Sequence, residues 1–152
     1  MMHPCRGAAA LLFSLLAVPC FAQSHAGVRA GASGDPAQFF FGGHIETDPV
    51  AERMTFRPNV EVGVGDGLTL LTVNLELAYW LQATKQPWRV YLGGGPALIA
   101  ASERGRRDGT GHVSGGFNVL LGAQHRSGLI GEIKAGFINS PSVKVTIGYA
   151  FH

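Results

Sequence analysis

The sequence predicts an all-β chain, an antiparallel up-and-down transmembrane β-barrel of about eight strands. Three observations carry this expectation. Large apolar residues recur at every second position from Leu71 to Leu81, as Leu71, Val73, Leu75, Leu77, Tyr79 and Leu81, with Thr72, Asn74, Glu76 and Ala78 between them. Side chains of a strand alternate between two faces, so this run has one greasy face and one polar or small face, over a length that suits a tilted bilayer crossing. Similar runs recur along the chain between turn signals, and no amphipathic helical pattern interrupts them. Of the 152 residues only 14% are charged, against roughly 25% in an average soluble domain. Glycine, at 22 residues, is abundant.

The N-terminus reads as a secretory signal. Arg6 is the positive start, Gly7 to Val18 a short apolar run, and Cys20-Phe21-Ala22 a small-x-small cleavage site. A lipoprotein signal ending at Cys20 would carry a small residue before the cysteine, and Pro19 breaks that pattern. The expected organisation is therefore a cleaved signal peptide over 1–22 and a barrel domain over 23–152. Cleavage removes Cys5 and Cys20, the only two cysteines, so the mature chain is expected to hold neither disulfides nor thiolate-bound metal. It also removes one of the twelve basic residues, against ten acidic ones. The mature chain is close to neutral, which gives no electrostatic case for binding nucleic acid.

The first strand is expected from Gly27 to Ala32, ended by Ser33-Gly34-Asp35-Pro36. The second runs from Gln38 to Glu46, followed by a polar connection through Asp48, Pro49 and Glu52. The third covers Thr55 to Val64 and turns at Gly65-Asp66-Gly67, a strong hairpin signal. The fourth starts near Thr69 and stops at Gln82 to Pro87. The fifth runs from Trp88 to Ala101, before a charged glycine-rich loop from Glu103 to Gly111. The sixth spans His112 to Gln124 and turns at His125-Arg126-Ser127-Gly128. The seventh runs from Leu129 to Ile138, and the eighth from Ser142 to Phe151. The pairs Gly42-Gly43 and Gly115-Gly116 and the triplet Gly93-Gly94-Gly95 suit the curvature of a narrow barrel. The alternative is a turn, which at Gly93 to Gly95 would change the strand count.

Alternation alone leaves open whether the greasy face meets a core or lipid, because lipocalin-like soluble barrels alternate too. The polar face decides first. It carries Arg29, His44, Glu61, Glu76, Arg89, Asn118, Glu132, Lys134 and Lys144, and the charges nearly balance. Balanced charges suit an enclosed interior, where unpaired charges are costly, better than a soluble outer coat. Arg29, Glu61, Glu76, Arg89, Glu132, Lys134 and Lys144 are thus expected to form an interior network, with Arg89 a partner for Glu76. Aromatic residues decide second. With the N-terminus on the periplasmic side, strand parity gathers Phe56, Tyr79, Trp88, Tyr149 and Phe151 at one rim and Phe39, Phe41 and Phe137 at the other. Two aromatic girdles around an apolar band are the membrane-barrel arrangement.

The third deciding feature is the last strand. Val143, Val145, Ile147, Tyr149 and Phe151 form its apolar face, ending in Gly148-Tyr149-Ala150-Phe151. Here the chain resembles small eight-stranded bacterial outer-membrane proteins (the outer membrane protein β-barrel domain family), whose last strand commonly ends in Gly-Tyr-x-Phe. One departure is His152, which follows the aromatic residue at which members of that family usually stop. The resemblance implies export to the outer membrane of a Gram-negative bacterium, recognition of the last strand by the barrel-assembly machinery, and contact with outer-membrane lipid and lipopolysaccharide. It implies a structural or surface-interaction role, with an interior closed by charged side chains and too narrow for a wide porin channel.

Chemistry is sparse. His112 and Ser114 share one strand face, as a base and nucleophile would. Lipid A deacylases related to PagL are eight-stranded barrels using a His-x-Ser pair with a glutamate, so a lipid A-modifying enzyme is one alternative. Against it, the pair sits early in the sixth strand. Folding the hairpin about Arg126-Ser127 sets Glu132 opposite Leu121, more than ~20 Å from Ser114. A soluble, secreted lipocalin-like lipid-binding barrel is the other alternative. Arg104, Arg106 and Arg107, on the expected extracellular loop, would meet lipopolysaccharide phosphates or simply be solvated. The six histidines lack metal-ligand spacing, and neither a metal nor another cofactor is expected.

Overall fold

A computed structural model describes residues 24–81, 87–103 and 111–151. They form nine strands: β1 (His25–Gly34), β2 (Gln38–Glu46), β3 (Pro49–Ala51), β4 (Met54–Gly65), β5 (Leu68–Trp80), β6 (Trp88–Glu103), β7 (His112–His125), β8 (Leu129–Ile138) and β9 (Val143–Ala150). All pairings are antiparallel between chain neighbours, apart from two closures. β1 pairs with β9, and β2 pairs with β4, so eight strands form a closed ring with β3 attached to β4 outside it. Closure removes the sheet edges that an open sheet exposes. No helix occurs among the described residues.

The eight expected strands correspond to β1, β2 and β4 to β9. The extra element β3 lies within the connection expected to be irregular. Arg53, with φ 59°, reverses the chain there so that Pro49 and Ala51 pair with Thr55 and Met54. β6 runs unbroken through Gly93-Gly94-Gly95, which excludes a turn at that point. A Cβ at Gly95 would overlap the Leu75 carbonyl oxygen, so glycine there permits the close approach of β5 that tight curvature requires. The β4–β5 connection is a two-residue turn, with Asp66 at φ 49° and Gly67 at φ 71°. Two consecutive positive φ angles match the twist of the flanking strands, and glycine takes the second without strain.

The start of β1 and the end of β9 share one end of the barrel, here the near end; the turns β1–β2, β4–β5 and β8–β9 lie at the far end. Burial alternates along each strand, most regularly in β9, where Val143, Val145, Ile147 and Tyr149 are exposed and Lys144, Thr146, Gly148 and Ala150 are buried. Most buried apolar side chains fall in two small clusters, with Phe40, Ile130 and Ala150 buried apart from them. Ala78, Trp80, Tyr91 and Leu120 pack together, Trp80 and Tyr91 lying toward the near end; Leu70, Ala97 and Ile99 pack toward the far end. Between them the interior is polar.

Candidate functional site: a charged lumen inside an apolar wall

Inward positions of six strands bring four cations and four carboxylates into the lumen: Arg29 from β1, Glu46 from β2, Arg57 and Glu61 from β4, Glu76 from β5, Glu132 and Lys134 from β8, and Lys144 from β9. Glu132, 3% exposed, is the hub. One of its oxygens lies 3.1 Å from Arg57 Nη1 and 3.3 Å from Arg29 Nη2, and accepts a 2.5 Å hydrogen bond from the Tyr91 hydroxyl. Its other oxygen is 3.8 Å from Lys134 Nζ. Glu61 accepts from Lys144 Nζ at 2.7 Å and Arg29 Nη1 at 3.3 Å, with Lys134 Nζ at 3.7 Å. Lys134 donates to Glu76 at 2.7 Å. Arg57 Nε is 3.6 Å from Glu46, and the Arg57 guanidinium lies over the Tyr91 ring, 4.5 Å from its centroid.

A row of amides extends the network. Asn118 Nδ2 donates to Asn74 Oδ1 at 2.8 Å, Asn74 Nδ2 to Asn59 Oδ1 at 2.7 Å, and Asn59 Nδ2 to Glu76 at 2.9 Å. The first of these bonds reaches past β6 from β7 to β5, the other two join neighbouring strands β5 and β4, and the row ends on a carboxylate. Trp80 sits above this at the near end, its indole N–H donating to Thr55 Oγ1 at 3.1 Å and its ring 4.7 Å from that of Tyr91. A Cβ at Gly122 would overlap the Tyr91 ring, so that glycine leaves the space Tyr91 fills. In low-dielectric surroundings each ion pair offsets the desolvation of its members only with such dense pairing. The arrangement closes the lumen; every carboxylate in it is committed to a cation.

The residues expected in this network divide on one point. Arg29, Glu61, Glu76, Glu132, Lys134 and Lys144 meet in the lumen, whereas Arg89 does not reach it. Arg89 is exposed at the near-end mouth, its guanidinium 4.3 Å from the centroid of the Trp80 ring. Parity gave its face correctly but not its depth: Arg89 is the second residue of β6, while Glu76 lies beside the Leu77–Gly94 rung, well inside. Arg57, Glu46, Tyr91 and Asn59 are lumen residues that the sequence reading passed over, and Asn74, which it put on the polar face of its strand, joins them. The same parity that turns Glu61 inward applies to Arg57 and Asn59 on β4.

The expected aromatic rims lie on the outside. Tyr79, Trp88, Tyr149 and Phe151 are exposed at the near end, with Phe56 half-buried; Phe39, Phe41 and Phe137 are exposed at the far end. Phe117, directly opposite Phe137, is a further exposed aromatic. His112 and Ser114 open β7 at the far end, opposite Ala101 and Ile99. Glu132 faces Gly122 and not Leu121, because the β7–β8 turn holds three residues, Arg126 to Gly128, and Gly128 takes φ 99°. Directly opposed residues share a face, so inward Glu132 requires an inward partner. Eight residues then separate Ser114 from the Glu132 rung, about 26 Å at the rise of a strand. Among the described residues no group of three or more His, Cys, Asp or Glu is placed to hold a metal ion. The signal peptide, His152 and the loop arginines Arg104, Arg106 and Arg107 lie outside the described residues.

Comparison with known proteins places the fold. No protein-family model matches the chain, and no curated protein matches it. Among solved structures the chain is similar to Neisserial surface protein A (NspA), with a TM-score of 0.63 and 16% identity over 84% of this chain and 92% of that one. It is similar also to the N-terminal β-barrel domain of Pseudomonas aeruginosa OprF, with a TM-score of 0.60 and 11% identity over 85% of this chain and all of that one. The architecture is the small eight-stranded barrel of these proteins.

Proposed function

We propose that the chain is a small integral β-barrel protein of the outer membrane of a Gram-negative bacterium, with a structural or surface-interaction role and a lumen closed by its own ion pairs. One observation carries this reading. Between the aromatic rims the outward side chains of the barrel strands are apolar or glycine, as in Val60 and Val62 of β4, Leu75 and Leu77 of β5 or Val145 and Ile147 of β9, while the charges face inward. A soluble barrel has the opposite distribution. An outward apolar belt with an inward polar lumen is what a hydrocarbon solvent selects. The similarity to a protein named as a bacterial surface protein supports the same reading.

On this reading residues 1–22 are the cleaved export signal. The last strand is the segment offered to the barrel-assembly machinery, and outer-membrane lipid, lipopolysaccharide included, surrounds the wall. The test is fractionation of cells followed by gel migration of boiled and unboiled samples. The protein is expected in the outer-membrane fraction, with a mobility shift on boiling. Recovery in the soluble fraction with no shift would contradict it.

A further inference from the structure

We propose that the near-end rim over β6 and β7 is a contact site for the phosphate of an anionic phospholipid headgroup, with Arg126 and Arg89 supplying the positive charge. This rests on the membrane reading above. Charge on that rim is unevenly placed. The β2–β4 connection carries Asp48 and Glu52 beside Arg53, whereas β7, halfway round the ring, ends at His125 with Arg126 opening its turn, and its neighbour β6 opens with Trp88-Arg89. The chain has no Asp or Glu from Ala78 to Ser102, nor from Gly109 to Gly131. No carboxylate from those segments neutralises the basic sector.

The register draws these groups together. Trp88 lies opposite His125 and Arg89 opposite Gln124, and the Arg126 amide donates to the Pro87 carbonyl at 2.9 Å. Arg126 and Arg89 are both exposed, and neither guanidinium has a hydrogen-bond acceptor among the described residues. Stacking on Trp80 fixes the Arg89 group at the mouth. The backbone register sets Arg89 and Arg126 on neighbouring strands at the same mouth, where a phosphate placed against both would accept charge-assisted hydrogen bonds from each. Trp88 sets the height. It points outward, braced edge-on by His125 with ring centroids 4.9 Å apart, and an indole on the wall of a membrane protein sits at headgroup level. The anion that a bilayer offers at that depth is the phosphodiester of its own lipid.

The test uses the refolded chain in phosphatidylcholine vesicles containing a trace of spin-labelled phosphatidylglycerol or spin-labelled phosphatidylcholine, reading the motionally restricted fraction of each. The wild type is expected to favour phosphatidylglycerol by on the order of fivefold at low ionic strength, the scale of one basic residue at a membrane surface. That preference is expected to shrink in high salt. It is expected to vanish in the double variant Arg89→Gln, Arg126→Gln and to reverse in Arg126→Glu, while Arg53→Gln on the acidic side retains it. Heat-shifted migration identical to wild type shows that the variants fold. Equal association of both lipids with the wild type, or a preference that survives the double variant, overturns the proposal. Loss of the preference in millimolar inorganic phosphate assigns the site to free phosphate and overturns the lipid assignment. A chain that never gives a heat-shifting band in vesicles overturns the membrane reading and this inference together.

Discussion

The lumen and the outer wall of this barrel are built on the same strands from alternate residues, yet they obey opposite rules. On β5, Asn74 and Glu76 are almost fully buried and bonded to neighbours, while Leu75 and Leu77 between and beside them are exposed at 44%. Each lumen residue depends on named partners: Glu132 alone is held by Arg29, Arg57, Lys134 and Tyr91. The wall residues need only to be apolar. The lumen therefore tolerates no unpaired change, whereas the wall tolerates any change that keeps its solvent satisfied.

That difference ranks the expected effects of substitutions. Glu132→Ala breaks the lumen most severely, leaving Arg29 and Arg57 short of a carboxylate and the Tyr91 hydroxyl without its acceptor. A loss of about 3–5 kcal/mol is expected, as for other broken buried pairs, read from urea unfolding in vesicles followed by tryptophan fluorescence. Leu75→Arg attacks the wall at mid-strand, and by the same measurement should cost ~2–4 kcal/mol, the depth-dependent price of a cation at the bilayer centre. Gly122→Val overfills the lumen against Tyr91, with an expected cost of about 1–3 kcal/mol and loss of near-ultraviolet dichroism from the Trp80–Tyr91 contact. Val143→Arg is the mildest. It lies on the wall at the far rim, where a cation reaches water, so ~0–1 kcal/mol is expected. Equal losses for Leu75→Arg and Val143→Arg would break the comparison, because the wall would then have no depth.

Much of this was legible in the sequence because a barrel strand has only two faces. Period-two alternation places Glu61, Glu76, Lys134 and Lys144 on one side and Leu71, Val73 and Leu75 on the other without knowledge of any partner. What alternation cannot supply is register, and register sets depth and pairing. Arg89 carries inward parity yet stays at the mouth, and Glu132 meets Gly122 because a three-residue turn shifts the hairpin by one position. Arg57 was hidden between Phe56 and Pro58, neighbours that suggest an apolar stretch. Tyr91 was hidden for a different reason: a large aromatic reads as a rim residue unless the glycine across from it, Gly122, is known to leave room inside. β3 depends on hydrogen bonds to β4 and has no pattern of its own in three residues that begin with proline.

The central claim is that the wall of β5 faces lipid while the intervening residues face a closed lumen. A nitroxide scan of single-cysteine variants from residue 69 to residue 80, in the mature chain reconstituted in vesicles, tests it most directly. Labels at 71, 73, 75, 77 and 79 are expected to be accessible to oxygen dissolved in the bilayer. Labels at 72, 74, 76 and 78 are expected to be immobilised and shielded from oxygen. A scan with no alternation, or with the 72–78 set in contact with lipid, would contradict the account.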